Sequence, residues 1–168
     1  MNLPNLLTLS RFALIPLFLV LYLNGYSLAA VVIVLLSGVT DILDGYLARR
    51  SGKITQAGMM LDPLADKLMM LSIVTALLIK DVIPWSAVAV MAVRELGMIA
   101  SSAFFHFRGL KTVPANLIGK ATTVVNYAAI LMLLLGIPGG LALLWTGIAL
   151  SLLATAIYIF RFRRLNHA

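Results

Sequence analysis

Six long apolar stretches, separated by short turn signals, make up most of this chain of 168 residues. Hydrophobic residues account for 62% of the sequence and charged residues for only 11%, a balance too apolar for the surface of a water-soluble fold of this size. Because a helix that crosses a bilayer needs roughly 20 apolar residues, the length leaves no room for a separate soluble domain. The sequence therefore predicts an all-α integral membrane protein, a six-helix transmembrane bundle forming a single domain over residues 1–168.

Turn residues and basic residues predict the helix ends and the orientation. The predicted helices cover about 5–24, 27–49, 56–80, 84–105, 116–136 and 139–160. Lysine and arginine gather in alternate connections and at the end of the chain, at Arg49, Arg50, Lys53, Arg108, Lys111, Arg161, Arg163 and Arg164. These regions are expected to face the cytoplasm, so both termini are expected there. The net charge of +7 then indicates anionic lipid or an anionic substrate, and no nucleic-acid partner is expected.

Acidic residues are few and concentrated. Four of the six fall within a short segment of the second and third predicted helices, at Asp41, Asp44, Asp62 and Asp66. An ionised carboxylate at membrane depth costs about 2.5–3.5 kcal/mol, so four together need compensating cations. Pairing with basic side chains at the helix ends would offset this cost but would not explain the spacing. The cluster is therefore predicted to be a functional site.

The spacing of these aspartates puts each pair on one helical face, since Asp41 and Asp44 are three residues apart and Asp62 and Asp66 are four apart. Counted from the cytoplasmic helix ends, all four lie roughly 7.5 to 15 Å deep. An antiparallel hairpin of the two helices would therefore place the two pairs at similar depth in the membrane. The chain has no cysteine, and carboxylate oxygens favour hard cations. We therefore predict two Mg²⁺ or Mn²⁺ ions, the arrangement used in phosphoryl-type transfer.

Residues 41–66 read D-I-L-D-G-Y-L-A-R, eight further residues, and G-M-M-L-D-P-L-A-D. This segment resembles the signature of the CDP-alcohol phosphatidyltransferase family, D-x2-D-G-x2-A-R-x8-G-x3-D-x3-D, and matches every fixed position. The segments P-N-L-L-T-L-S-R at 4–11, L-D-P-L-A-D-K at 61–67 and I-G-K at 118–120 are similar to the branch of this family that uses glycerol 3-phosphate. The family's plan of six helices, with the motif on the second and third, covers the whole chain.

The resemblance implies an activity and a role for each matching residue. An alcohol hydroxyl would attack the phosphatidyl phosphorus of CDP-diacylglycerol, and CMP would leave. Asp41, Asp44 and Asp62 would bind the two divalent cations. Asp66 would complete this set and act as the general base. The CDP site would be lined by Gly45, Ala48, Arg49 and Gly58. The resemblance further implies a homodimer surrounded by membrane lipids, multi-pass in a bacterial cytoplasmic membrane, with its active site facing the cytoplasm.

Polar residues of the predicted helices and of the connection after the fourth helix indicate the acceptor. The candidate set is Thr8, Arg11, Arg94, Arg108, Lys111 and Lys120, and every charge in this set is positive. A cationic pocket suits an acceptor that carries its own phosphate, which favours glycerol 3-phosphate. Three of these residues also have an explanation other than acceptor binding. Arg108 and Lys111 fit equally well as positive-inside anchors, and Glu95 could neutralise Arg94.

Two other functions fit parts of the pattern. A cardiolipin synthase of the same family would keep the chemistry and use phosphatidylglycerol as the acceptor. A cation-coupled transporter would also carry intramembrane carboxylates. Against the transporter, the sequence has no inverted repeat, and its acids lie near one interface instead of at the membrane midplane.

Overall fold

Helices form every regular element in the described part of a computed structural model, which covers residues 3–51, 56–107 and 117–166. The six helices are α1 (Leu3–Leu23), α2 (Ser27–Ser51), α3 (Gln56–Ile79), α4 (Trp85–Phe107), α5 (Leu117–Leu134) and α6 (Gly140–Asn166). The predicted all-α class is thus confirmed for these residues, as is the number of helices. α6 runs past its predicted end near residue 160, because the basic segment that follows contains no glycine or proline and arginine favours helix.

A tight turn joins α1 to α2. Gly25 has a φ of +90°, a left-handed backbone conformation that side chains disfavour. This geometry lets the backbone N–H of Tyr26 donate to the carbonyl of Leu21 at 3.0 Å, and that of Gly25 donate to the carbonyl of Tyr22 at 3.0 Å. Carbonyls at the end of α1 are thereby satisfied, and α2 returns along α1 as its antiparallel neighbour.

The first of two compact units covers Met1–Val82 and is organised around α1. Among its described residues, the extensive helix contacts are those of α1 with α2 and of α1 with α3. α1 thus contacts both helices of the predicted hairpin, whose connection lies outside the described residues and which stays a prediction. Its buried apolar side chains include Phe18, Ala30, Ile73, Ala76 and Leu77. One buried side chain of this unit is charged, that of Arg11.

The second compact unit covers Ile83–Ala168. α5 packs along α6, and α4 makes a smaller contact with α6. The core is mainly apolar, with Ala129, Ile130, Leu134, Leu144 and Ile148 buried. Apolar packing on both helices explains why this pair is the most closely associated in the unit.

Among the described residues, one helical segment is both long and apolar enough to cross a membrane, the 21 residues Gly140–Phe160 of α6. Only 28% of its apolar window is buried, whereas the central helix of a soluble protein is mostly buried. Shorter apolar segments are Leu9–Leu23, Ser27–Leu43 and Ala121–Leu134. The six-span bundle and the cytoplasmic position of both termini therefore stay predictions.

A close approach between α5 and α6 gives a test of the packing in the second unit. A Cβ on Gly147 would collide with the side chain of Asn126, whose buried Oδ1 has no hydrogen-bond partner within the described residues. We expect Gly147→Ala to lower the unfolding free energy by about 1–3 kcal/mol, the usual cost of overpacking. Thermal unfolding of the purified protein in detergent measures this change.

Gly97, on α4 of the same unit, provides the matched control. A Cβ there meets nothing within 4 Å, so Gly97→Ala should leave the stability unchanged or raise it by up to about 1 kcal/mol. Equal melting temperatures for the two variants would contradict the close α5–α6 packing at Gly147.

Candidate active site

The side chain of Arg11 joins three of the predicted aspartates. Its Nη1 donates to Asp41 Oδ1 at 2.7 Å and to Asp66 Oδ1 at 2.6 Å, and its Nη2 donates to Asp62 Oδ1 at 3.1 Å. These distances are typical of charge-assisted hydrogen bonds between a guanidinium and carboxylates. We call these four residues the Arg11 cluster.

Three helices supply the Arg11 cluster, and their packing explains how it forms. Arg11 lies near the middle of α1, which contacts both of the other helices. Asp62 and Asp66 are four residues apart on α3, so they lie on one face of that helix. Asp41 comes from α2. Residues distant in the sequence therefore meet at α1, where Asp41 of α2 and Asp66 of α3 bind the same Arg11 nitrogen.

Burial differs sharply between the cation and the anions of the Arg11 cluster. The Arg11 side chain is 1% exposed, whereas those of Asp41, Asp62 and Asp66 are 40%, 36% and 56% exposed. The guanidinium thus lies beneath three carboxylates that remain open on their outer side. With all four groups ionised, their formal charge is −2, since three negative charges face one positive charge.

The donor set of the Arg11 cluster suits a hard divalent cation. Three carboxylates direct an oxygen toward one positive centre, and their excess negative charge matches the charge of one such ion. Within the described side chains, however, no three acidic or histidine groups stand in a geometry that would hold a metal ion together. The guanidinium lies among the three carboxylates instead.

Most of the other predicted site residues have side chains outside the described set. Of the metal and CDP ligands, these are Asp44, Gly45, Ala48, Arg49 and Gly58, and of the acceptor set they are Thr8, Lys120, Arg108 and Lys111. For Arg108 and Lys111 the backbone also lies outside the described residues. Their roles stay predictions.

Arg94 lies on α4 in the second unit, where it forms an ion pair with its sequence neighbour. Its Nη1 donates to Glu95 Oε2 at 2.8 Å. Adjacent residues on a helix point about 100° apart, so the long arginine side chain must bend toward the carboxylate. Its Nε is buried and has no hydrogen-bond partner within the described residues. The alternative that Glu95 neutralises Arg94 therefore has a structural basis, and the Nε–H of Arg94 has no acceptor among the described residues.

The contact of Arg11 with the acids was missed by the sequence analysis, which assigned this residue to the acceptor. The signal was present in the sequence, because an arginine in an apolar helix needs an anionic partner. The aspartates of the second and third helices were the obvious candidates for that partner.

Comparison with known proteins agrees with the motif on α2 and α3. The family described as CDP-alcohol phosphatidyltransferase matches residues 1–157. The chain belongs to this family, which is a membrane-bound family of transferases in phospholipid biosynthesis. The protein is accordingly a transferase enzyme.

Relatives with two different names cover most of the chain. A cardiolipin synthase (CMP-forming) of Streptomyces coelicolor is 34% identical over 100% of this chain and 86% of its own length. A CDP-diacylglycerol–glycerol-3-phosphate 3-phosphatidyltransferase of Bacillus subtilis is 34% identical over 80% of this chain and 77% of its own length. A protein of the same name from Rickettsia typhi is 33% identical over 82% of this chain and 79% of its own length. These identities do not separate the two acceptors.

Proposed function

We propose that this protein transfers the phosphatidyl group of CDP-diacylglycerol to glycerol 3-phosphate, giving phosphatidylglycerophosphate and CMP. The observation that carries the proposal is the convergence of Asp41, Asp62 and Asp66 on one positive centre in a chain of this family. An anionic site of this kind suits the divalent cations that assist displacement at phosphorus. The names of the Bacillus subtilis and Rickettsia typhi relatives support the acceptor.

In the proposed reaction the aspartates divide two tasks. Asp41, Asp44 and Asp62 hold two Mg²⁺ or Mn²⁺ ions, which when bound neutralise charge on the phosphate oxygens. Asp66 accepts the proton of the acceptor hydroxyl while the bond from that oxygen to phosphorus forms and the bond to the CMP oxygen breaks. The half-exposed position of Asp66, on the open side of the Arg11 cluster, makes it accessible to an acceptor.

The two substrates use different parts of the proposed site. Gly45, Ala48 and Gly58 leave room for the CDP group, and Arg49 binds its phosphate. The acceptor phosphate is bound by basic side chains, of which Arg94 and Lys120 lie within helices. We propose that the site opens to the cytoplasm in a six-span, dimeric protein of a bacterial membrane.

A second acceptor has a specific observation in its favour. The cardiolipin synthase of Streptomyces coelicolor aligns with the whole chain. In addition, Arg11 is engaged by aspartates, which leaves one basic side chain fewer than the sequence predicted for the doubly charged phosphomonoester of glycerol 3-phosphate, whereas phosphatidylglycerol carries a singly charged phosphodiester. Phosphatidylglycerol is therefore the alternative acceptor, whereas family membership favours either transferase over the alternative of a cation-coupled transporter.

A panel of acceptors tests the proposal. Purified protein is incubated with CDP-diacylglycerol, Mg²⁺ and either glycerol 3-phosphate, phosphatidylglycerol, inositol or serine, and both CMP and the lipid product are measured. We expect CMP release and phosphatidylglycerophosphate with glycerol 3-phosphate. Faster turnover of phosphatidylglycerol would replace the proposed acceptor, and no CMP release with any alcohol would refute the transferase reaction.

Arg94 gives a prediction for the acceptor site. Replacing it with Gln removes the charge that would bind the phosphate of glycerol 3-phosphate, so we expect the apparent affinity for this acceptor to fall by about 1.5–3 kcal/mol. The KM for CDP-diacylglycerol should change little. Steady-state kinetics with each substrate varied in turn measure both effects.

Lys80→Gln is the control for Arg94→Gln, because it removes one positive charge from an exposed position just after α3. If both substitutions raise the acceptor KM equally, the effect comes from net charge and Arg94 does not bind the phosphate. If only the KM for CDP-diacylglycerol rises in Arg94→Gln, Arg94 belongs to the nucleotide site instead.

A further inference from the structure

The buried guanidinium of Arg11 occupies the position that the three carboxylates face. Each of the three directs its Oδ1 to the same side chain, at 2.7, 2.6 and 3.1 Å. Arg11 is a permanent cation, since its guanidinium stays protonated in proteins. The chain therefore carries its own positive charge in the middle of the acidic site.

A guanidinium and a divalent cation compete for such a site in two ways. Both bind carboxylate oxygens, and one oxygen of each of the three carboxylates already accepts a hydrogen bond from Arg11. Like charges also repel strongly at distances of a few ångströms in a partly buried site. An ion that binds Asp41 and Asp62 must therefore move the guanidinium or be weakened by it.

We propose that Arg11 is the internal counter-cation of these aspartates and that it competes with divalent cations for them. Arg11 is then a positioning residue. From α1 it holds the three carboxylates of α2 and α3 close together before an ion arrives, and it lowers their affinity for that ion. This inference rests on the proposed function, which assigns divalent cations to two of these aspartates, Asp41 and Asp62.

Competition between Arg11 and a divalent ion should also affect the stability of the fold. Without a divalent ion, loss of Arg11 leaves three carboxylates close together with no shared cation, and like charges at such distances destabilise a fold. A bound ion restores the balance. The protein without Arg11 should therefore depend on divalent ions for stability more strongly than the unmutated protein does.

Binding of Mn²⁺ in the absence of both substrates tests the proposal. The protein is purified in detergent, stripped with chelator and titrated with Mn²⁺, and the free ion is followed by electron paramagnetic resonance. We expect Arg11→Met to bind Mn²⁺ at least about fivefold more tightly than the unmutated protein, the lower end of the range for coupled sites. In chelator its melting temperature should be lower, and Mn²⁺ should raise it by a larger increment.

Two further variants complete the design. Lys80→Met makes the same change of charge about 21 Å along the helix direction from Asp66, so it should leave the Mn²⁺ affinity unchanged. Arg11→Lys keeps the charge but reaches fewer carboxylates with its single ammonium, so its affinity should lie between those of the unmutated protein and Arg11→Met. If Arg11→Met does not fold, the comparison with Arg11→Lys carries the test.

The outcomes separate this inference from the proposed function. Unchanged or weaker Mn²⁺ binding in the Arg11 variants, with binding in the unmutated protein, overturns the competition and leaves the proposed reaction standing. Mn²⁺ binding to neither the unmutated protein nor the variants overturns both the competition and the assignment of metal ions to the aspartates. Tighter binding in Arg11→Met and Lys80→Met alike would show a general charge effect and overturn the specific role of Arg11.

Discussion

Treatment with EDTA is expected to abolish CMP release, and added Mg²⁺ or Mn²⁺ is expected to restore it. The Arg11 cluster offers hard oxygen ligands and a formal charge of −2, so it needs a cation at its open side to receive an anionic pyrophosphate. A metal ion in this role supplies several kcal/mol to the transition state, which corresponds to a rate loss of about a thousandfold or more when it is removed. CMP release before and after dialysis against chelator measures the effect.

EDTA saturated with Mg²⁺ is the control for the chelation experiment. It should leave the rate unchanged, because it removes no further ion while exposing the protein to the same reagent. Full activity in metal-free EDTA would mean that the aspartates act through Arg11 alone and would remove divalent ions from the proposed reaction.

The helices could be predicted from the sequence because apolar runs and turn residues are local signals. The α1–α2 turn is an example, since the pair Asn24-Gly25 between two apolar stretches favours a turn, and Gly25 has a positive φ there. The predicted end of α6 was wrong because the apolar run ends before the helix does. A helix continues through arginine as readily as through leucine, so α6 reaches Asn166.

The candidate site was only partly predictable. The spacing of Asp62 and Asp66 gives a shared face on one helix, which depends on helical geometry alone. Which third helix packs against that face depends on tertiary contacts, so the sequence did not show that α1 would bring Arg11 to the acids. Counting unpaired charges in the apolar helices would have favoured this pairing over an acceptor role for Arg11.

Replacing Asp41 or Asp62 with Asn should reduce turnover at least about a hundredfold, the scale seen when electrostatic stabilisation of a transition state is lost. The amide keeps the size of the side chain and can still accept a hydrogen bond from Arg11, so the fold should survive. Asp81→Asn is the matched control, because Asp81 is exposed and has a φ of +54°, a conformation that Asn also tolerates. Near-normal turnover in either cluster variant would contradict its role as an ion ligand.

Asp66→Asn separates the general base from the ion ligands. A base acts after both substrates have bound, so its loss should lower kcat by about 10²–10⁴-fold with little change in either KM. Mn²⁺ binding should persist in this variant and weaken in Asp41→Asn and Asp62→Asn, because Asp66 is the most exposed of the three carboxylates and lies where an acceptor can reach it. If Asp66→Asn loses Mn²⁺ affinity as strongly as the other two variants, Asp66 is an ion ligand like them, and the proton must be accepted by another group.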